Sequence, residues 1–234
     1  MMTMRRLFPL ALAGIAGFLV LSCASTDPAK KYPNMVANVN PFSVGTLEAQ
    51  FDRMFSARLN KAEIEAIFYP RLNSVALEFR YEMIRYRQFW DETARNQFAE
   101  ALERYKTDYE ARNLVDRYGR TSAAYGRVKG RLEWETFRLG KTRVSHPAIA
   151  LGYRFREKSP FFATLMRSAK EVNPDSGDSP DQSQQVIMYF TRAQAEELVA
   201  LFDQAYLMGL LAEPGRTQQF DPSPDLDDYQ EYGN

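Results

Sequence analysis

Alternation of apolar and polar side chains is the feature that most constrains how this chain can fold. From Val75 to Met83 every second residue is apolar, and most residues between them, such as Glu78 and Arg80, are charged. The segments 125–137 and 149–155 show the same period. Because successive side chains of a strand point to opposite faces of a sheet, this period predicts strands with one buried and one solvated face. Such strands are typical of antiparallel sheets.

The alternation changes phase after Met83, so the segment 75–90 allows more than one interpretation. A phase shift within a strand requires a β-bulge or a tight hairpin. A helix with Phe79, Met83, Tyr86 and Trp90 on one face is the alternative. We favour strands, because aromatic and β-branched residues dominate the segment.

Four other segments carry the spacing of amphipathic helices. The segments 47–59 and 60–69 have apolar residues three and four apart, and Pro70 ends the second. A long helix is predicted from an Asp91 N-cap to about Asn113, and a last one runs from Thr191 to about Leu211. Together with the strands, these helices predict an α+β fold. We expect an antiparallel sheet of about five to six strands, with one face covered by two or three amphipathic helices.

The N-terminus has the organisation of an export signal. Arg5 and Arg6 precede an apolar run from Leu7 to Leu21, which is followed by the only cysteine of the chain, Cys23. A basic start, a short apolar run and a small residue at the end are typical of a signal peptide, and the run is shorter than the roughly 20 residues of a membrane span. An export signal that is cleaved without any role for Cys23 remains an alternative.

The sequence Val20-Leu21-Ser22-Cys23 resembles the lipobox of bacterial lipoproteins, including the looser lipoboxes of spirochaete lipoproteins. This resemblance implies that the chain is cut before Cys23 and that Cys23 is acylated. Two or three acyl chains hold a protein firmly on a membrane. Ala24 after the cysteine resembles the pattern of lipoproteins of the bacterial outer membrane, and both a periplasmic and a surface orientation stay open.

Composition shifts divide the chain into four parts. Residues 1–22 are predicted as the lipoprotein signal peptide, and residues 23–41 as the lipidated cysteine and a flexible tether. Residues 42–212 are predicted as a single α+β domain, because about 170 residues can bury one core. Residues 213–234 form an acidic, proline-containing tail that is expected to be disordered.

Composition also bounds the chemistry. The chain has 30 basic and 30 acidic residues, and loss of Arg5 and Arg6 with the signal peptide leaves a net charge of −2, which argues against a nucleic-acid partner. Serine and cysteine nucleophiles need an imidazole, and the single histidine, His146, precedes Pro147 in a predicted loop. We therefore predict no catalytic residue, no metal site and no cofactor.

Two groups of charged residues share the outer face of the strand predicted over 125–137. Arg127, Lys129 and Arg131 form a basic stripe that is the candidate surface for a ligand or partner. Glu133 and Glu135 continue the same face. Glycoside hydrolases use a pair of carboxylates for catalysis, so a catalytic pair is one interpretation of Glu133 and Glu135. The alternative is an ordinary charged face of the strand that contacts solvent.

The function expected from these features is that of a membrane-anchored lipoprotein, a binding or envelope-structural module rather than an enzyme. Its partners are the membrane, through acylated Cys23, and an envelope protein or lipid. One alternative is a carrier of lipid or apolar ligands with an internal cavity. A less favoured alternative is a carboxylate-dependent glycan hydrolase. The aromatic residues considered for the cavity are Tyr153, Phe155, Phe161, Phe162 and Tyr189.

Overall fold

The computed structural model describes residues 32–53, 56–117, 121–136, 141–156, 158–172 and 174–215. The predicted signal peptide, Cys23, the tether as far as Lys31 and the tail from Arg216 lie outside the described residues.

In the described part of the chain, ten antiparallel strands form one strongly curved sheet, in the order β5-β8-β9-β10-β1-β2-β3-β4-β6-β7. The predicted α+β fold with five to six strands is therefore wrong, because the described residues are mostly β-strand, with three helices. The strands are β1 (Phe42–Arg53), β2 (Ser56–Tyr69), β3 (Ser74–Tyr81), β4 (Ile84–Asp91), β5 (Gly126–Lys129), β6 (Arg131–Thr136), β7 (Thr142–Ser145), β8 (Ala148–Arg156), β9 (Ser159–Met166) and β10 (Val186–Phe190).

The first two predicted helices are the long hairpin β1–β2, and this difference has a simple geometric cause. Leu47 and Phe51 lie four positions apart, which places them on one face of a helix but also on one face of a strand. In the structure Leu47, Ala49 and Phe51 are all buried, so the period is two. Leu47 lies opposite Ile64 in an antiparallel register that runs the length of both strands.

The segment 75–90 forms the hairpin β3–β4, which confirms the interpretation as strands. Tyr81 lies opposite Ile84, so Glu82 and Met83 alone form the turn. Glu82 has a φ of 56°. The phase shift after Met83 is thus the signature of a tight two-residue hairpin.

Three helices lie in the described residues. Helix α1 (Glu92–Glu110) begins after Asp91, whose side chain accepts a hydrogen bond from the backbone of Ala94, as predicted. Helix α2 (Arg192–Phe202) begins after Thr191, as predicted, and Thr191 forms a capping box with Gln194. The chain then turns at Asp203 and continues as α3 (Gln204–Ala212), so the long last helix predicted to Leu211 is two helices.

Helix α1 fills the hollow of the curved sheet. Phe98 is fully buried and contacts the rings of Trp90, Phe162 and Phe202 edge-on or tilted, with centroids 5.2–5.6 Å apart. Edge-to-face packing of this kind adds to the energy gained by burying apolar area. The core therefore lies between α1 and the concave face of the sheet.

One bent hairpin joins the two ends of the sheet. Only Gly130 separates β5 from β6, and only His146 and Pro147 separate β7 from β8. β6 pairs with β4, whereas β8 pairs with β9. Because β10, β1, β2 and β3 lie between β9 and β4, the sheet must curl until both ends meet at this hairpin.

The connection between β9 and β10 reaches across to β7. The backbone N–H of Val172 donates to the carbonyl of Val144 at 2.9 Å. Nearby, Arg143 binds Asp181, and Lys141 donates to Asp175 at 2.6 Å. These contacts fasten the outer edge of β7.

Residues 32–40 lie against the turn between β2 and β3, although the sequence places them in the tether. Tyr32 is buried, and the guanidinium of Arg71 lies 4.2 Å from the centre of its ring. The N–H of Val36 donates to the carbonyl of Pro70 at 3.0 Å. The same turn carries Asn73, whose amide donates to Glu92 at the start of α1.

Candidate functional site

The predicted basic stripe is divided by the structure. Arg127 and Lys129 are exposed on β5. Arg131, however, donates to Glu133 at 2.8 Å and lies over the ring of Phe89 at 5.6 Å. The stripe therefore offers two exposed cations, and the third is engaged in holding the sheet together.

Of the predicted acid pair, Glu133 belongs to a network of ion pairs across β3, β4 and β6. Glu78, Arg87 and Glu133 lie side by side on adjacent strands, and Arg87 binds both carboxylates. Burial alone would raise the pKa of Glu78, but the hydrogen bonds and charges of Arg85 and Arg87 outweigh it and lower that pKa. This arrangement neutralises Glu133 with guanidinium groups and does not place it across a cleft from Glu135, which follows on the same face.

His146 lies in the short link between β7 and β8, as expected from Pro147. Partial burial and the neighbouring Arg131 lower the pKa of its imidazole. The structure brings His146 together with no set of three acidic, histidine or cysteine side chains able to hold a metal ion, within the residues that it describes.

The aromatic residues considered for a cavity do not share one. Tyr153, Phe155 and Phe162 pack into the core with α1, whereas Phe161 and Tyr189 pack on the convex face. The concave side is filled by side chains that are exposed by at most 1%. They include Phe51, Phe68, Phe98, Phe162 and Phe190. This packing gives no support to an apolar-ligand carrier.

An open groove of about 440 Å³ lies at the C-terminal end of α1, a size that suits a small ligand. Three separate parts of the chain build it: the end of α1 and the residues after it, the turn between β8 and β9, and the first residue of α2. We call it the Arg112–Arg192 groove. Its lining residues are Tyr109, Glu110, Arg112, Leu114, Phe155, Pro160 and Arg192.

Arg192 is held against one wall of the groove. Its guanidinium lies 4.4 Å from the centre of the Tyr109 ring. Tyr109 in turn contacts Tyr105, and the hydroxyl of Tyr105 donates to the carbonyl of Pro160 at 2.9 Å. Stacking uses the flat face of a guanidinium and leaves its N–H groups, which lie in the plane, available for another partner.

Arg112 holds an unusual backbone position. Helix α1 ends in a Schellman motif, in which Asn113 donates to the carbonyl of Asp108 at 2.9 Å and Arg112 to that of Tyr109 at 3.1 Å. Arg112 has a φ of 56°. Glycine is preferred at this position, and a residue with a side chain costs on the order of 1 kcal/mol. The protein thus keeps an arginine at the groove where its backbone favours glycine.

A second cleft, of about 480 Å³, lies beside the hairpin turn of β3 and β4. Its charges balance, since Arg80 and Arg85 are matched by Glu82 and Glu135, and Arg85 already binds Glu78. In the Arg112–Arg192 groove, two arginines face one acid, Glu110. Within the described residues, neither Arg112 nor Arg192 forms an ion pair, so this groove is the stronger candidate site.

No local sequence pattern points to this groove. The sequence predicts the end of α1 at about Asn113, three residues beyond its end in the structure, and predicts a helix start at Thr191 without assigning a role to Arg192. A charged residue where a helix-ending glycine is expected is the one local clue that a sequence can offer.

None of the helices in the described residues is long and apolar enough to cross a membrane. A protein of Treponema pallidum (strain Nichols), described as an uncharacterized protein, is 24% identical over 204 residues, covering 84% of this chain and 72% of that protein. No solved structure matches. A family model described as "Uncharacterised Treponema protein" matches residues 41–208, and the chain therefore belongs to this Treponema family.

Proposed function

We propose that the protein is a lipoprotein of the bacterial envelope, anchored through acylated Cys23 and using its β-rich domain as a binding module. The observation that carries this proposal is the Arg112–Arg192 groove, whose two guanidinium groups have no carboxylate partner among the described residues. Both arginines are exposed, and a guanidinium that faces an open groove without a carboxylate partner keeps its N–H groups available to an anionic ligand that comes from outside.

The position of the groove relative to the tether supports this role. Tyr32 lies nine positions after Cys23 and contacts Arg71, in the turn whose Asn73 binds Glu92 at the start of α1. Nine residues span at most about 30 Å, which keeps that end of the domain near the membrane. The groove lies at the other end of the 19-residue helix α1, about 28 Å further along its axis. An anchored domain of this shape directs the groove away from the tether.

Substitution of Cys23 tests the anchoring. We expect the unmodified chain, expressed in a bacterium with the lipoprotein pathway, to incorporate labelled palmitate and to sediment with membranes. Cys23→Ser removes the thiol that is acylated, so the label should be lost and the protein should shift to the soluble fraction. Ser22→Ala serves as the matched control, because it keeps a small residue before the cysteine.

A Cys23→Ser protein that still carries palmitate and still sediments with membranes would contradict the anchoring. Proteolysis of intact cells then identifies the side of the outer membrane. Degradation of the domain indicates the cell surface, whereas protection until the outer membrane is permeabilised indicates the periplasm. Either result is compatible with a binding module and decides where its ligand must be sought.

A further inference from the structure

We propose that the Arg112–Arg192 groove binds a small anionic ligand, a carboxylate or a phosphate monoester, that carries an aromatic or apolar group. This inference rests on the binding role proposed above and names the chemistry of its ligand. The groove combines the three elements that such a ligand requires: unpaired donors of positive charge, a rigid aromatic wall and an apolar floor.

The anion is recognised by the two arginines. The guanidinium group is a planar fork whose N–H groups match the oxygens of a carboxylate or phosphate, and charge-assisted hydrogen bonds of this kind are among the strongest in proteins. Arg192 is fixed by its contact with Tyr109, so little side-chain freedom is lost when a ligand binds. Arg112 lies at the rim of the same groove.

The apolar part of the ligand is accommodated by Leu114, Phe155 and Pro160. These three side chains are only partly buried, so contact with a ligand would remove apolar surface from water. The volume of about 440 Å³ suits one aromatic ring with a short substituent rather than an acyl chain or an extended polymer.

The backbone at Arg112 provides an independent argument. A glycine there would stabilise the Schellman motif, as the positive φ shows. An arginine that weakens its own helix end is expected where its side chain has a task in the folded protein. Stability and binding should therefore respond in opposite directions to one substitution, which makes the proposal testable without ambiguity from misfolding.

The experiment measures the affinity of the full chain for three probes by ligand-detected NMR. N-acetyl-L-phenylalanine and phenyl phosphate carry a ring and an anion, and N-acetyl-L-phenylalaninamide is the neutral control. We expect at least one anionic probe to bind about tenfold more tightly than the amide. Arg192→Ala should lower that affinity about tenfold. Arg112→Gly should lower it several-fold while the melting temperature rises by about 2–4 °C.

Arg167→Ala is the matched control, because this exposed arginine lies outside the groove and its loss should leave probe affinity unchanged. A preference for the carboxylate or for the phosphate probe supports the proposal and identifies the source of the anion. Equal binding of the amide, or wild-type affinity in both groove variants, would overturn it. Binding restricted to vesicles of anionic phospholipid, with no binding of the soluble probes, would also overturn it.

This experiment is independent of acylation. A Cys23→Ser protein that binds the probes normally leaves the groove assignment intact even if the anchoring test fails. Conversely, a chain that is acylated but binds none of the probes retains its anchor and loses the ligand proposed here.

Discussion

A buried arginine shows how single residues hold this fold together. Arg95 is 2% exposed, and its guanidinium donates to the carbonyl of Phe202 at 2.9 Å and to the side chain of Gln204 at 2.7 Å. It also donates to Asn73 at 3.3 Å. These partners lie in the turn before β3 and in the break between α2 and α3. One side chain thus fastens three parts of the chain at the start of α1.

Replacement of Arg95 by methionine should destabilise the protein strongly. Methionine fills a similar volume but leaves two backbone carbonyls and two side-chain amide oxygens without the donor that Arg95 supplies. We expect the free energy of unfolding to fall by about 3 kcal/mol. Urea denaturation followed by circular dichroism measures this change. Gln97→Met, on the exposed side of the same helix, should change stability by less than about 0.5 kcal/mol; equal effects of the two substitutions would refute the role of Arg95.

Glu78 gives the protein a defined sensitivity to acid. Its pKa is lower in the folded protein than its ordinary value of 4.5, so its ion pairs with Arg85 and Arg87 contribute fully above that value. The contribution is lost as the pH falls below it. We expect wild type to exceed Glu78→Gln by about 1–2 kcal/mol in unfolding free energy at pH 7, and the difference to become smaller as the pH falls from 4.5 through the lowered pKa of Glu78.

Urea titrations at pH 3, 5 and 7 measure this difference. Glu63→Gln, which removes an exposed carboxylate of the neighbouring strand β2, serves as the control variant. A difference between wild type and Glu78→Gln that stays constant from pH 7 to pH 3 would show that the charge of Glu78 does not act as described.

At the scale of secondary-structure elements, a close contact between two backbone segments positions a 3₁₀ turn on the convex face of the sheet. A single 3₁₀ turn, Thr121–Ala123, packs on the convex face of β8 over Gly152. A Cβ atom at position 152 would lie 2.1 Å from the carbonyl oxygen of Thr121 and 2.6 Å from the backbone of Ser122. Only glycine allows the two backbones to approach so closely.

A pair of glycine substitutions tests this contact. Gly152→Ala should lower the unfolding free energy by more than about 2 kcal/mol, because backbone rather than a flexible side chain obstructs the new methyl group. Gly209→Ala, in α3, meets no atom within 4 Å and should raise it by about 0.5–1 kcal/mol. Denaturation midpoints measure both; a tolerated Gly152→Ala would mean that the 3₁₀ turn moves freely.

Elements also show what the sequence can and cannot predict. Helix α1 and the start of α2 were predicted correctly, because capping residues such as Asp91 and Thr191 act within one turn. The sequence pattern of hairpin β1–β2 predicts two helices instead. Leu47 and Phe51 are four residues apart, and this spacing places them on one face of either a helix or a strand. Pairing with a partner strand determines whether such a segment forms a strand or a helix. Because the partner residues are distant in sequence, a local pattern does not contain this information.

At the scale of the whole molecule, the bent hairpin from β5 to β8 makes the sheet a single unit. It pairs with β4 on one side and with β9 on the other, so neither half of the sheet is complete without it. The Arg112–Arg192 groove depends on the same closure, since its residues come from three distant parts of the chain. The groove was therefore beyond prediction, whereas the stripe with Arg127 and Arg131 lies within one strand segment and was visible locally.

We expect the domain to unfold in one cooperative step as a result. Trp90 packs against α1 and α2, whereas Trp134 lies on β6, so tryptophan fluorescence reports on two regions of the core. Fluorescence and far-ultraviolet circular dichroism should give the same urea midpoint. Trp134→Phe leaves Trp90 as the single reporter and should unfold in one step as well. Separate transitions for the two signals would show that the sheet consists of independent parts.

The edge strands of this sheet also affect whether copies of the protein aggregate. The two edge strands, β5 and β7, have four residues each, and each continues directly into an interior strand. The carbonyl of Val144 on β7 already accepts a hydrogen bond from the N–H of Val172. Long unpaired edges invite other chains to add strands and aggregate. If the proposed anchoring holds, copies of the protein on a lipid surface meet often, and short, fastened edges allow such encounters without strand addition between chains.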